Sequence, residues 1–355
     1  MSETIVGVIF GGRSGEHEVS LVSASSVILE MPEKYEVKEI GISVEGIWYC
    51  GEGTLEKFKA GQVDDLEPCG IEEALDGIDI AFPVLHGPFG EDGTIQGLFE
   101  MLRVPYVGCG VLASSSCMDK IMCKAVLNNG GIPVVPYVAF SRAEWGADTD
   151  EISERIARDI DFPCFVKPSN MGSSVGISKV KAAADLKAAI ALACEYDSRI
   201  LVEKAVNARE IECAVLGNED AEAAELGEVI VGGEFYDFND KYVDGKSTTQ
   251  IPVEDVDPAK MIEIKLMCVN AFREMDCSGL ARVDCFLDRD TGEIFMNEIN
   301  TLPGFTSISM YPKMWEASDV EYPELLERLI DLGFKRFETK KGNKVKFDSG
   351  SDWFK

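Results

Sequence analysis

Residues 165–176 (FVKPSNMGSSVG) place Lys167 at the end of a β-type run, followed by a loop in which Gly172 and Gly176 allow close backbone approach to a ligand. Backbone N–H groups and the hydroxyls of Ser173 and Ser174 could hold phosphate oxygens there, with Lys167 as a point charge. Taken alone, the segment also reads as a plain hairpin turn. A second cluster is formed by Arg282 with Asp284, and by Glu298 with Asn300. Period-2 alternation puts each pair on one face of its strand, so a hairpin would bring two carboxylates and an amide beside an arginine. Hard oxygen donors of that kind suit Mg²⁺, while a salt-bridged exposed face is the plainer reading. Leu302-Pro303-Gly304-Phe305-Thr306 follows directly, and the Gly304 N–H could meet a developing oxyanion. Gly245-Lys246-Ser247 copies the end of a P-loop, but the position of its first glycine is Asp240, so a Walker site is rejected.

The elements that must carry these residues alternate along the chain. Residues 4–10 read as a strand, 19–31 as a helix, and 37–42 and 78–85 as further strands, so residues 1–115 form an expected doubly wound α/β unit. Ligands gather beyond the carboxyl ends of such strands, which puts 11–20 and 86–93 (HGPFGEDG) on one rim. A helix at 118–129 leads into strands at 164–168 and 199–204 around a helix at 182–194, an α+β module placed at 116–206. Strands at 210–216, 224–231, 280–287 and 293–299, helices at 258–275 and 322–332, and a polar loop at 237–249 make a third unit, 207–340; a polar tail, 341–355, follows.

Composition limits the partners. A formal charge of −29 over 355 residues excludes the basic footprint that nucleic-acid binding needs. No apolar run approaches the ~20 residues of a membrane helix, and no secretory leader is visible, so a cytoplasmic protein without a membrane partner is expected. The eleven cysteines include no C-x-x-C pair and read as reduced core residues, and the two histidines, His17 and His86, cannot complete a zinc site with such spacing.

In order along the chain, GGRSGEHEVS, HGPFGEDGT, CMDK (117–120), VKPSNMGSSVGISKV, REIECAVLG, FYDFNDKY, ARVDCF and MNEINTLPGFTSISMYP resemble the D-alanine–D-alanine ligases of the ATP-grasp superfamily. The resemblance runs from about residue 4 to about 335. It implies a three-domain ATP-grasp fold, with an N-terminal α/β domain and two α+β domains gripping ATP, and ligation of two D-alanine molecules through a D-alanyl phosphate. A homodimer is expected on the same ground. Lys120, Lys167 and Lys241 would contact phosphates, Gly172 to Gly176 would form a lid, Glu203, Lys204 and Val206 would hold adenine, and Glu210 the ribose. Asp284, Glu298 and Asn300 would bind Mg²⁺, with Mn²⁺ as an alternative. Glu18 would bind the first D-alanine's ammonium and His86 would lie near its carboxylate. Arg282 with the Gly304 N–H would form the oxyanion hole, Ser309 and Met310 would hold the second D-alanine, and Ser173 with Tyr242 would link lid and loop to Glu18.

Two positions depart from the family pattern. Ala205 stands where an aromatic is common in the adenine hinge, so stacking would come from elsewhere, for example Phe235; Phe238 replaces a frequent tyrosine. Tyr242 occupies the place of a histidine in D-lactate-using relatives. It stays uncharged near neutral pH and sets up no repulsion against an amine acceptor. Met310 would offer no polar partner to a D-serine hydroxyl. Ligases that add D-serine or D-lactate, and a non-catalytic amino-acid and nucleotide sensor, are the alternatives.

Overall fold

The computed structural model describes residues 4–172, 174–230 and 248–344. Three sheets organise them. β1 (Thr4–Gly11), β2 (Tyr35–Ile42) and β4 (Ile80–Pro83) run parallel, and the short β3 (Trp48–Cys50) closes the edge antiparallel, in the order β3-β2-β1-β4. The β1 turn needs glycine. At φ +87°, a Cβ on Gly11 would stand 2.3 Å from the Ile42 carbonyl oxygen. The helix α1 (His17–Leu29) leaves this turn and buries Ser20, Leu21, Ser23, Ala24 and Val27, a helical spacing. Ser20 Oγ accepts the Gly11 N–H and donates to the Val84 carbonyl, tying the helix to two strand ends.

α5 (Val111–Met118) and α6 (Lys120–Asn129) follow, and Asp119 caps α6 by accepting the Met122 N–H at 2.9 Å. Cys117, Cys123 and Leu127 of this pair are buried in the core of the third sheet. The second sheet begins later, at β5 (Tyr137–Ser141), whereas the sequence put the start of the central unit at 116. It adds β6 (Cys164–Pro168), β7 (Ser178–Val180) and β8 (Arg199–Lys204) in the order β5-β8-β6-β7, and α8 (Thr149–Asp159) and α9 (Ala183–Tyr196) supply Ile152, Ile156, Leu186 and Ile190 to its core.

The third sheet joins β11 (Thr248–Gln250), β10 (Glu222–Ile230), β9 (Ala208–Gly217), β12 (Gly279–Asp288) and β13 (Ile294–Asn300) in the order β11-β10-β9-β12-β13. One face packs Ile211, Cys213, Val283 and Cys285 against α10 (Pro258–Glu274). The opposite face is divided. Ala214 and Leu216 join a core with α11 (Met310–Glu316) and α12 (Tyr322–Lys341), and Glu210 and Glu212, one period earlier, point into the cleft described next. α12 runs nine residues beyond its expected end at 332 and packs on β4 of the first sheet, Gly333 lying against Ile80 and Tyr106. All eleven cysteines are free thiols.

Candidate active site

β9, β12 and β13 lay a row of carboxylates across the third sheet: Glu212 pairs with Asp284, and Asp284 with Glu298. Arg282, opposite Asn300, shares their face. Its fork donates to Asp284 through Nε at 2.8 Å and Nη2 at 2.7 Å, and Nε also lies 3.2 Å from Glu212 Oε2. Asn300 Nδ2 donates to Asp284 Oδ2 at 2.9 Å, leaving its own oxygen as a donor to a cation. Burial opposes charge on Arg282, but Asp284 and Glu212 outweigh it and hold the guanidinium as a fixed cation. A bulge after Asp284 lets the Asn297-Glu298 pair turn toward the same cleft.

The opposite wall is cationic. Lys120, at the first position of α6, reaches 3.4 Å from Glu298 Oε2 and donates to the Met171 carbonyl at 2.8 Å. Its helix start is stitched to the loop after β6, because Lys120 N–H bonds the Ser169 carbonyl and Ser169 Oγ donates to Asp119. Lys167, at the end of β6, pairs with Glu203 of β8. Gly172 and Ser174 line the cleft beside these lysines, Ser174 at φ +61°. A second cavity of about 480 Å³ adjoins it, walled by Phe165, Lys179, Lys204, Ala205, Val206, Glu210, Val229 and Phe286. Glu203, Lys204, Val206 and Glu210 thus border one space, with Phe165 and Phe286 as apolar walls.

The Gly304 loop is fixed from both sides. Phe305 packs its ring against Phe82, Tyr311 and Tyr322, and Tyr322 Oη donates to its carbonyl. Ser309 Oγ accepts the Thr306 N–H at 3.0 Å and lies 3.0 Å from where a Cβ on Gly304 would be, so a side chain there would crowd the loop. His86 is buried and uses both ring nitrogens within the protein. Nδ1 meets the Leu302 carbonyl at 3.0 Å and Nε2 meets Ser23 Oγ at 2.9 Å. A carbonyl only accepts, so Nδ1 carries the proton and Ser23 donates to Nε2, while Ser23 Oγ receives the Phe305 N–H at 3.4 Å. His86 therefore braces the Gly304 loop against α1.

Two expected residues sit elsewhere. Glu18 is exposed on α1, off its buried face, whereas Glu16, in the turn before the helix, reaches the cleft: its Oε2 would stand 3.3 Å from a Cβ on Gly172. The motif offers both glutamates, and only the helix start at His17 separates them. Met310 is 8% exposed, and its Cε lies 2.3 Å from a Cβ built on Gly227, so the side chain is core and not a pocket wall. Its backbone opens α11 next to Ser309.

Glu91, Glu212 and Lys124 escaped the sequence reading. Glu91 accepts the Gly87 N–H at 2.9 Å, and burial together with the nearby Glu16 carboxylate pushes its pKa up to about 8. Glu212 was visible in the alternation of REIECAVLG, two residues after Glu210. Ser173, Phe235, Phe238, Lys241 and Tyr242 lie outside the described residues. Among the described residues no helix is long and apolar enough to cross a membrane, and no three His, Cys, Asp or Glu side chains converge to hold a metal by themselves.

An α/β unit followed by two sheets that close on a lysine- and carboxylate-lined cleft is the architecture of ATP-grasp enzymes. Residues 5–109 match the model of the D-ala D-ala ligase N-terminus, and residues 126–331 that of the D-ala D-ala ligase C-terminus. The chain belongs to the D-alanine–D-alanine ligase family. It is 45% identical to a D-alanine–D-alanine ligase of Acetivibrio thermocellus, covering 93% of this chain and 96% of the relative. A second relative, from Heliobacterium modesticaldum, is 46% identical over 97% and 98%. Among solved structures it resembles the D-alanine-D-alanine ligase of Coxiella burnetii, with a TM-score of 0.84, 35% identity and coverage of 96% and 97%. The VanG D-Ala:D-Ser ligase of Enterococcus faecalis gives the same TM-score at 36% identity, covering 94% and 100%.

Proposed function

We propose that this chain joins two molecules of D-alanine at the expense of ATP, through a D-alanyl phosphate, giving D-alanyl-D-alanine, ADP and phosphate for peptidoglycan precursor synthesis. The observation that carries the reading is the meeting of Lys120, Lys167, Arg282, Asp284 and Glu298 around one cleft, in a chain 45% identical to D-alanine–D-alanine ligases along nearly its whole length. A carboxylate resists amine attack because its leaving group would be oxide. Phosphorylation replaces that group with one that departs readily.

In this reading Lys120 and Lys167 hold the nucleotide's phosphates, and the cavity at Glu203, Lys204, Val206 and Glu210 takes the nucleoside. Glu16 takes over the role first given to Glu18, binding the ammonium of the first D-alanine. Arg282 and the Gly304 N–H face the oxyanion of the tetrahedral intermediate, where one well-aimed donor is worth ~3 kcal/mol. Ser309 and the backbone at Met310 receive the acceptor's carboxylate. Asp284, Glu298 and the Asn300 oxygen form a hard-oxygen donor set that fits Mg²⁺, with Mn²⁺ as the alternative. When bound, such an ion would neutralise charge on the transferring phosphate. Lys241, Ser173 and Tyr242 are assigned on sequence resemblance only, as is Phe235 in adenine stacking. The protein acts as a cytosolic homodimer in this proposal.

A D-serine acceptor is the second reading, because the D-Ala:D-Ser ligase is as similar in structure as the D-alanine-D-alanine ligase. The core position of Met310 removes the pocket argument against it. The curated relatives at 45–46% identity favour D-alanine. Mass spectrometry of the products from ATP, Mg²⁺ and equal D-alanine, D-serine and D-lactate decides. D-Alanyl-D-alanine is the expected main product; D-alanyl-D-serine or D-alanyl-D-lactate in its place would overturn the choice of acceptor, and no ATP-dependent product would overturn the ligase reading.

A further inference from the structure

Lys124 lies one helical turn after Lys120 on α6, between the apolar side chains of Cys123 and Leu127. Its side chain is 1% exposed, and its Nζ stands 2.9 Å from Glu203 Oε2. The other oxygen of Glu203, itself 2% exposed, pairs with Lys167. One buried carboxylate is thus shared by two lysines, of which only Lys167 borders the cleft.

Stability alone does not account for this arrangement. A buried ion pair can often be exchanged for apolar residues at little cost, and the surroundings of Lys124 are an apolar core. Charge gives a better account. Lys167 and Glu203 by themselves are a neutral pair, and such a pair attracts a phosphate weakly. Lys124 adds a third charge that leaves the triad at a net +1. Burial opposes ionisation of Glu203, yet the two lysines outweigh it and pull its pKa down to about 2, so the carboxylate stays charged and the count holds at neutral pH.

Resting on the nucleotide reading above, we propose that Lys124 is a positioning residue that acts through Glu203, offsetting its charge so that Lys167 keeps its positive charge available to the nucleotide's phosphates. The readout is the ratio of affinities for ADP and adenosine, measured by calorimetry and competition on the full chain, since adenosine lacks the phosphates and reports the base and ribose contacts. In Lys124→Met this ratio falls by roughly tenfold. Adding Glu203→Gln, which keeps an acceptor for Lys167 but removes the negative charge, restores the ratio to within about threefold of wild type. A purely structural Lys124 would weaken ADP and adenosine alike, or neither, and either result overturns the proposal. If Lys124→Met does not fold, Lys124→Gln, which removes the charge but keeps a polar partner for Glu203, carries the same test, and an unchanged ratio overturns the proposal. A wild-type chain that does not bind ADP would instead overturn the nucleotide reading, and this proposal with it.

Discussion

Arg282 grips Asp284, two residues along the same strand, with Nε and Nη2 of one guanidinium on the two carboxylate oxygens. Glu212 touches the same Nε from the neighbouring strand. A planar fork is thereby held in one orientation at the wall of the cleft. A lysine could supply the charge but not the plane. Arg282→Lys is expected to lower kcat by on the order of 100-fold, a loss of ~3 kcal/mol of oxyanion stabilisation, with unchanged circular dichroism. Near-normal turnover in a phosphate-release assay would remove Arg282 from the oxyanion hole.

Glu298 faces both Asp284 across the ladder and Lys120 across the cleft. Glu298→Gln keeps the shape and removes the charge. Its expected signature is a rise in the Mg²⁺ concentration needed for half-maximal activity, together with weaker Mn²⁺ binding measured by paramagnetic resonance. Unchanged values for both would show that the ion, if needed, is held elsewhere.

The two glutamates of the first loop should separate cleanly. Glu16 reaches the Gly172 loop and Glu18 is exposed to solvent on α1. Glu16→Gln is expected to raise KM for the first D-alanine at least tenfold, as the loss of a charge-assisted contact would. Glu18→Gln should stay within about twofold of wild type, in line with an exposed substitution. The reverse result in steady-state kinetics would restore Glu18 to the site.

Most of this was legible where period and chemistry coincide. The alternation that put Arg282 with Asp284 and Glu298 with Asn300 on single faces is the alternation of β12 and β13, and the strands 164–168 and 199–204 fall where their apolar runs predicted. What stayed hidden depends on tertiary placement. The burial of Lys124 is invisible in a helix whose pattern gives no reason to bury a charge. Choosing Glu16 over Glu18 required knowing where α1 begins. Met310 follows a polar serine in a loop motif, yet its side chain is drawn into the core by the space left at Gly227. The short helices of the first unit, such as α4 (Thr94–Leu102), went unread because less than three turns gives too little periodicity.

His86 supplies a pH test. Burial disfavours the imidazolium and lowers its pKa below 6.5 in the folded chain. The unfolded chain therefore binds a proton that the fold refuses. Stability supported by neutral His86 is complete above pH 6.5 and is lost as pH falls from there through the lowered folded value. The melting temperature of wild type should drop on going from about pH 7 to 5, and that of His86→Gln should drop less. Parallel pH profiles for the two proteins would refute the assignment.

The docking of α12 on β4 has a consequence for how the protein is made. Ile80, Phe82 and Val84 share one core with Leu325, Leu326, Leu329 and Ile330, and a Cβ on Gly333 would stand 2.9 Å from Ile80 Cδ1. Synthesis proceeds from the N-terminus, so the first sheet leaves the ribosome long before the helix that covers it. Until α12 emerges, that apolar face is covered only in part, by Leu21, Ala24 and Val27 of α1. The first unit therefore cannot finish its core as an isolated nascent domain, and the last helix is the step that seals it.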